Sequence, residues 1–365
     1  MTTTEELRQA VRSGSLDAVT ALLKTGVEVN DGGSPSLIHL AVVGDNTGLI
    51  LEALIEAGAD VDARDGAGRT PLHAAAEFRP LTGVLGPLVV AGADVNARDN
   101  NGLTPLHWAA KGNPNSPRAI NGLVLEGAAV NARDKNGLTA LHWALRWRPN
   151  MAAIAPLIVR GAAVDGRDGD GRTPLHYAAM AERRNAEAVF ALLAAGADIA
   201  ARDRDGRTAL HLAADNYYGT EAVLALIEAE ANAYAQDADQ QTPLHRAVSS
   251  NFGTSDVAAH LVKWMSPFGV NLGDSNGNTA LHLTAAIRDN PSCASHLRQL
   301  RKVGNGEKDV ILAKILIKAG ADLNARNHSG ETPRDVARRS GAVAVANLLL
   351  DAWQAASEVG PWFEV

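Results

Sequence analysis

The chain has 365 residues, 46% of them hydrophobic, 4% aromatic and 21% charged, with a formal charge of −7. This is the composition of a folded, soluble protein, but aromatics this sparse argue against one large compact core, and the acidic balance excludes a global attraction to nucleic acid or anionic membrane. A single cysteine, Cys293, excludes an internal disulfide framework and a Cys-rich zinc site, and fits a reducing compartment.

The opening MTTTEELRQA holds two glutamates and no apolar stretch, so it does not read as a secretory signal peptide. No later run approaches the roughly 18 apolar residues of a membrane span. The expected location is cytoplasmic, with export by a route that uses no cleaved signal left open. After a polar first segment, TEELRQAVRSGSLDAVTALLKTG, one phrase recurs: GLTPLHWAA at Gly102, GLTALHWAL at Gly137, then GRTPLHYAA, GRTALHLAA and QQTPLHRAV. Its Ser or Thr falls at Ser36, Thr70, Thr104, Thr139, Thr173, Thr208, Thr242, Thr279 and Thr332, in steps of 34, 34, 35, 34, 35, 34, 37 and 53. A motif that performs chemistry is needed once, whereas recurrence at this period signals a solenoid.

Within each repeat, Thr predicts a helix N-cap and Pro the first helical position. Leu-His-x-Ala-Ala predicts a short helix whose alanines allow close packing, and a second apolar helix such as VLGPLVV or AVFALLA follows. Gly26, Gly58, Gly92, Gly127, Gly161, Gly196 and Gly320 are placed to end second helices in the left-handed conformation. A segment such as ADVNARDNNG then predicts an extended turn, closed by a glycine at 68, 102, 137, 171, 206, 277 or 330 before the next Thr. No repeat can bury its own apolar face, so stability comes from neighbours and the two ends need polar caps.

T-P-L-H, G-A-D-V-N-A and D-x-x-G-x-T recur in order and in phase, and through them the chain resembles the ankyrin repeat family. The resemblance implies an all-α fold: an ankyrin-repeat solenoid of about ten helix-turn-helix units with hairpin tips, and a concave groove lined by tips and first helices. It also implies protein binding as the activity. The repeat domain is expected over residues 1–355, with an N-terminal cap at about 1–30, a C-terminal cap at about 327–355 in which Arg334 replaces the buried leucine, and a tail over 356–365.

The chain departs from the family pattern in its inter-helix loops, which lack Gly-His and are about one residue longer. Drift with compensating packing is one reading. Partner binding is the other, because these loops gather Phe78, Arg79, Arg146, Trp147, Arg148, Tyr217, Tyr218 and Phe252, residue types enriched at binding hot spots. Trp108, Trp143 and Tyr177 directly follow the motif histidine and read as core. Glu230 and Gln240 stand where helix-ending and hairpin glycines are expected, at a cost of roughly 1 kcal/mol each. Trp264, Met265 and Phe268 either cover the core at a distorted turn or form an exposed apolar patch. Residues 287–309, IRDNPSCASHLRQLRKVGNGEKD, form an insertion that is a spacer or a second binding element, with VGNGEKD as a flexible return.

Eight of eleven histidines occupy the repeat position, where the resemblance implies hydrogen bonds between hairpin and helix. Cys293 and His296 form C-x-x-H without a second ligand pair, and the sequence has no P-loop, H-E-x-x-H or G-x-S-x-G. No metal, cofactor or catalytic residue is therefore expected. In the tips, the first five hold ten Lys or Arg against seven Asp and the last three one against four acids. Arg69, Lys135, Arg172, Arg204 and Arg207 thus point to an acidic partner. The expected function is a monomeric, non-catalytic module that binds a protein or peptide in its groove, with no nucleic acid or membrane. The alternatives are a bacterial effector or partner-inhibiting protein, suggested by the Ala-rich composition, and an enzyme or metal site in the groove or insertion.

Overall fold

The computed structural model describes residues 3–30, 32–44, 48–78, 83–111, 116–146, 148–250, 255–286 and 305–358. Helices and turns make up these residues, with no strand among them. They form two compact bodies, Met1–Pro174 with Ala194–Ala197, and Leu175–Leu193 with Asp198–Val365.

The N-terminal body holds five helix pairs: α1 (Thr3–Ser13) with α2 (Leu16–Leu23), α3 (Leu37–Gly44) with α4 (Leu49–Glu56), α5 (Pro71–Phe78) with α6 (Leu85–Val90), α7 (Pro105–Ala110) with α8 (Ser116–Leu125), and α9 (Ala140–Leu145) with α10 (Met151–Val159). The fourth repeat shows why the sequence folds this way. Thr104 is extended (φ −96°, ψ 167°) and Pro105 starts α7 with its torsion already set. Leu106, Ala109 and Ala110 are buried, and the small alanines let α7 pack on both α5 and α9. On α8, Ala119, Ile120 and Leu123 are fully buried, each larger side chain contributing about 1.5–3 kcal/mol by leaving water. Gly127 (φ 92°) then ends α8: its N–H bonds to Val124 O at 3.1 Å and that of Ala128 to Leu123 O at 2.9 Å.

Repeats are joined through the motif histidine. In His107, Nδ1 accepts the Thr104 N–H at 3.0 Å, so this nitrogen is the unprotonated one, and Nε2–H donates to Leu138 O of the next hairpin at 3.1 Å. The same donation runs from His39 to Arg69 O, His73 to Leu103 O and His142 to Arg172 O, at 2.9, 3.0 and 3.3 Å. Successive tips are stitched as well. Arg64, Arg98 and Arg133 each donate to the carbonyl of the arginine in the next tip, Arg98, Arg133 and Arg167, at 2.6–2.7 Å.

The C-terminal body continues the pattern with α11 (Pro174–Met180) and α12 (Asn185–Ala194), α13 (Ala209–Asp215) and α14 (Thr220–Glu228), α15 (Pro243–Ser249) and α16 (Ser255–Lys263), the single turn α17 (Pro267–Val270), α18 (Ala280–Ala285) and α19 (Asn305–Lys318), and α20 (Pro333–Ser340) and α21 (Val343–Glu358). Its histidines bridge likewise, His176 to Arg207 O, His211 to Gln241 O, His245 to Asn278 O and His282 to Glu331 O, at 2.9–3.0 Å. Glu230 and Gln240 do take positive φ, 62° and 57°, as the missing glycines require. Arg184 (φ 51°) is a third such residue, which the sequence reading did not single out.

Three expectations change here. Asn305–Asp309 are not a flexible return but the first turn of α19, and Lys308 Nζ donates to Ser250 O at 3.3 Å; Ile287–Gly304 lie outside the described residues. Helix α21 runs on through Ala356–Glu358, which the sequence assigned to the tail. Around α17 both readings apply in part: Met265 is buried, whereas Trp264 and Phe268 are exposed.

Candidate protein-binding face

The face begins with an aspartate at one position of the hairpins, buried at Asp99, Asp134, Asp168, Asp203, Asp237 and Asp274 and partly so at Asp65. Asp99 is 6% exposed, and its Oδ1 accepts the backbone N–H groups of Asn101 (2.8 Å) and Leu103 (2.9 Å), fixing the turn. A buried carboxylate needs donors for its second oxygen too, since leaving it unpaired costs about 1–3 kcal/mol or more. Two positions supply them. Trp108 Nε1–H donates to Asp99 Oδ2 at 3.1 Å and Trp143 Nε1–H to Asp134 Oδ2 at 3.0 Å, in each case from nine residues downstream. Arg246 serves Asp237 from the same position at 2.9 Å.

Where the residue after the histidine is Ala74 or Leu212 and has no donor, the arginine four residues after the aspartate takes over. Arg69 Nε reaches Asp65 Oδ2 at 2.8 Å and Arg207 Nε reaches Asp203 Oδ2 at 2.9 Å. Burial pushes the Asp65 and Asp203 carboxyls up, but the backbone and guanidinium N–H groups of these arginines overcome it and hold both below the usual range. Arg69 also bonds Glu77 at 3.1 Å.

Trp108, Trp143 and Tyr177 are therefore not core, as the sequence reading had them. They are half-buried, and the two indoles stand between tip and first helix. Cations cover them: Arg69 lies 5.4 Å and Lys111 4.6 Å from the Trp108 ring centre, and Lys111 5.8 Å and Arg146 5.1 Å from that of Trp143. Each contact contributes about 0.5–1 kcal/mol at a partly exposed site. The result is a continuous strip, Arg69, Trp108, Lys111, Trp143, Arg146, across three repeats of the N-terminal body.

The candidate residues fall into distinct environments. Arg69 and Arg146 are brought together with the two indoles in this strip. Lys135 is exposed on the tip between the fourth and fifth repeats, Arg148 is exposed beyond α9, and Arg172 is half-buried 3.5 Å from Asp170. In the C-terminal body Arg207 is paired with Asp203 and Asp205, whereas Arg204 is exposed. Tyr217 and Tyr218 are 58% and 52% exposed and meet edge to face at 5.0 Å. Their loop is held to that of the preceding repeat by Asn185, whose Nδ2 donates to Tyr218 O at 2.7 Å. Arg79, Trp147 and Phe252, together with the Phe78 side chain, lie outside the described residues, as do Cys293 and His296.

Sequence reasoning missed Lys111 and the outward role of Trp108 and Trp143. The signal was present: a cation follows each tryptophan at helical i,i+3 spacing, Lys111 after Trp108 and Arg146 after Trp143. Among the described residues, no three His, Cys, Asp or Glu side chains are grouped so as to hold a metal ion, and no helix is long and apolar enough to cross a membrane. The motif histidines are engaged structurally. Burial pushes His211 down to about 4 despite the carbonyl to which it donates.

A family model for ankyrin repeats in sets of three copies matches residues 7–99, 38–134, 81–162, 112–203 and 180–264, and one for a single ankyrin repeat matches 276–328. No curated protein matches the chain.

Proposed function

The chain belongs to the ankyrin repeat family, whose repeats are in general protein–protein interaction modules, and on that premise we propose that it binds a protein or peptide partner on the face formed by its tips and first helices. It does so without catalysis of its own, as a monomer in the cytoplasm. The observation that carries the reading is the separation of frame from display. Histidine, arginine and aspartate bonds fix every tip to a first helix, while the residue after the histidine varies from repeat to repeat: Ala74, Trp108, Trp143, Tyr177, Leu212, Arg246, Leu283. Side chains held in place in this way lose little entropy on binding.

The test uses the immobilised full chain to capture a partner from native lysate. Lys111→Ala with Arg146→Ala, or Tyr217→Ala with Tyr218→Ala, is expected to lose the main captured protein while the chain stays folded by ellipticity, the first pair melting a few degrees lower for the cation–ring contacts it gives up. Glu187→Ala with Glu221→Ala, on second helices, is expected to retain it. Capture that survives both face variants would place binding elsewhere.

A further inference from the structure

Lys111 follows α7 directly and is exposed, yet its ammonium is held at a fixed point, 4.6 and 5.8 Å from two ring centres. The rings themselves are pinned. Each indole N–H is bonded to an aspartate that is only 6% or 7% exposed, so neither tryptophan can turn without unpairing a buried carboxylate. The carboxylates of the strip are already engaged. Asp99 and Asp134 are taken by turn N–H groups and indoles, and Asp65 and Glu77 by Arg69. Glu77, which also feels the Lys111 charge, is half-buried and gives Oε2 to Arg69 at 3.1 Å; burial pushes its carboxyl up while Arg69 and Lys111 pull it down. An ammonium with three donors thus stands towards solvent, with Arg146 5.1 Å from the Trp143 ring centre and Lys135 on the adjoining tip.

We infer that Lys111, clasped by Trp108 and Trp143, receives a carboxylate from an acidic segment of the partner. This rests on the protein-binding reading and adds the chemistry of the bound segment. Charge complementarity selects the occupant: the outward groups here are cations and amphipathic rings. A nucleic acid is the less suited ligand, because base stacking uses bare aromatic faces and each of these rings already carries two cations.

The probe is fluorescein-labelled hexaglutamate, titrated into the full chain at low salt and followed by anisotropy, with hexaglutamine and hexauridylate as comparators. Hexaglutamate is expected to bind in preference to both. Lys111→Ala should weaken it about tenfold, the loss of one charge-assisted contact, while Lys111→Arg restores binding and Lys24→Ala, at a distant exposed lysine, leaves it unchanged. Equal binding of hexaglutamine, or an affinity indifferent to Lys111, overturns the proposal. Hexauridylate binding with the same Lys111 dependence would reassign the strip to RNA. If hexaglutamate fails while a captured partner is still lost on Lys111→Ala with Arg146→Ala, the acidic assignment falls and the protein-binding face stands.

Discussion

Exchanging Trp143 for leucine, and then Leu138 for arginine, tests whether the buried Asp134 oxygen governs both positions. Trp143→Leu removes the 3.0 Å indole bond to Asp134 Oδ2 and leaves that oxygen unpaired on a carboxylate 7% exposed. The lost charge-assisted bond and its desolvation amount to about 2–3 kcal/mol. Leu138→Arg places a guanidinium four residues after the aspartate, recreating the Leu212 and Arg207 arrangement that satisfies Asp203. Alone, Leu138→Arg should also destabilise, because Leu138 is 4% exposed and the oxygen is already occupied. Together the two changes should recover about 1–2 kcal/mol relative to their sum, read as a coupling energy in a double-mutant cycle. Urea unfolding followed by ellipticity measures all four proteins. Additive losses, or a double variant weaker than the sum, would refute the claim that Trp and Arg substitute for one another at this carboxylate.

Acidification below pH 6.5 should destabilise the chain through its buried histidines. His39, His73, His107, His142, His211, His245 and His282 are held below their ordinary 6.5 chiefly by burial, so between pH 6.5 and the lower folded values the unfolded chain binds more protons. Their stabilisation is complete above pH 6.5 and is lost as pH falls, by roughly 3 kcal/mol for His211 alone by about pH 4; a urea midpoint that rose from pH 7.5 to pH 5 would contradict this. Gln240→Gly and Glu230→Gly should each raise stability by about 1 kcal/mol, since both side chains are exposed and sit at positive φ. Gly137→Ala should lower it by about 1–2 kcal/mol, because φ is 82° and the added carbon would lie 2.9 Å from Gly169 N of the next tip; unchanged melting would show that the tips can part.

What the sequence discloses is whatever a single residue must do to its own backbone. Thr-Pro marks the start of a first helix, and glycine in phase marks each left-handed position, so that even the exceptions Glu230 and Gln240 could be located by their violation of the pattern. The roles of Trp108 and Trp143 were hidden because they depend on the burial of an aspartate nine residues earlier, which no local property reports. Comparison among repeats exposes it: Asp99 with Trp108, Asp134 with Trp143 and Asp237 with Arg246, against Asp65 with Arg69 and Asp203 with Arg207. The start of α19 was hidden for another reason. Gly304, Asn305 and Gly306 argue locally for a loop, at about 1 kcal/mol per glycine in a helix, but α19 packs on α16, α18 and α21, and tertiary burial outweighs that cost.

The tips change meaning once their bonds are known. Their basic residues suggest a positive surface, yet Arg69, Arg172 and Arg207 stand beside tip carboxylates, at 2.8, 3.5 and 2.6 Å. Arg64, Arg98, Arg133 and Arg202 keep their charge but spend a donor on a neighbouring carbonyl, which fixes where that charge lies. A cation held in the frame cannot swing round to meet a partner's carboxylate without releasing the next repeat. Lys111, Lys135 and Arg204, by contrast, are exposed. An acidic partner would therefore be read by few charges at set points, and its affinity should depend on salt far less than the count of basic residues in the tips implies, because most of them gain no new ion pair on binding.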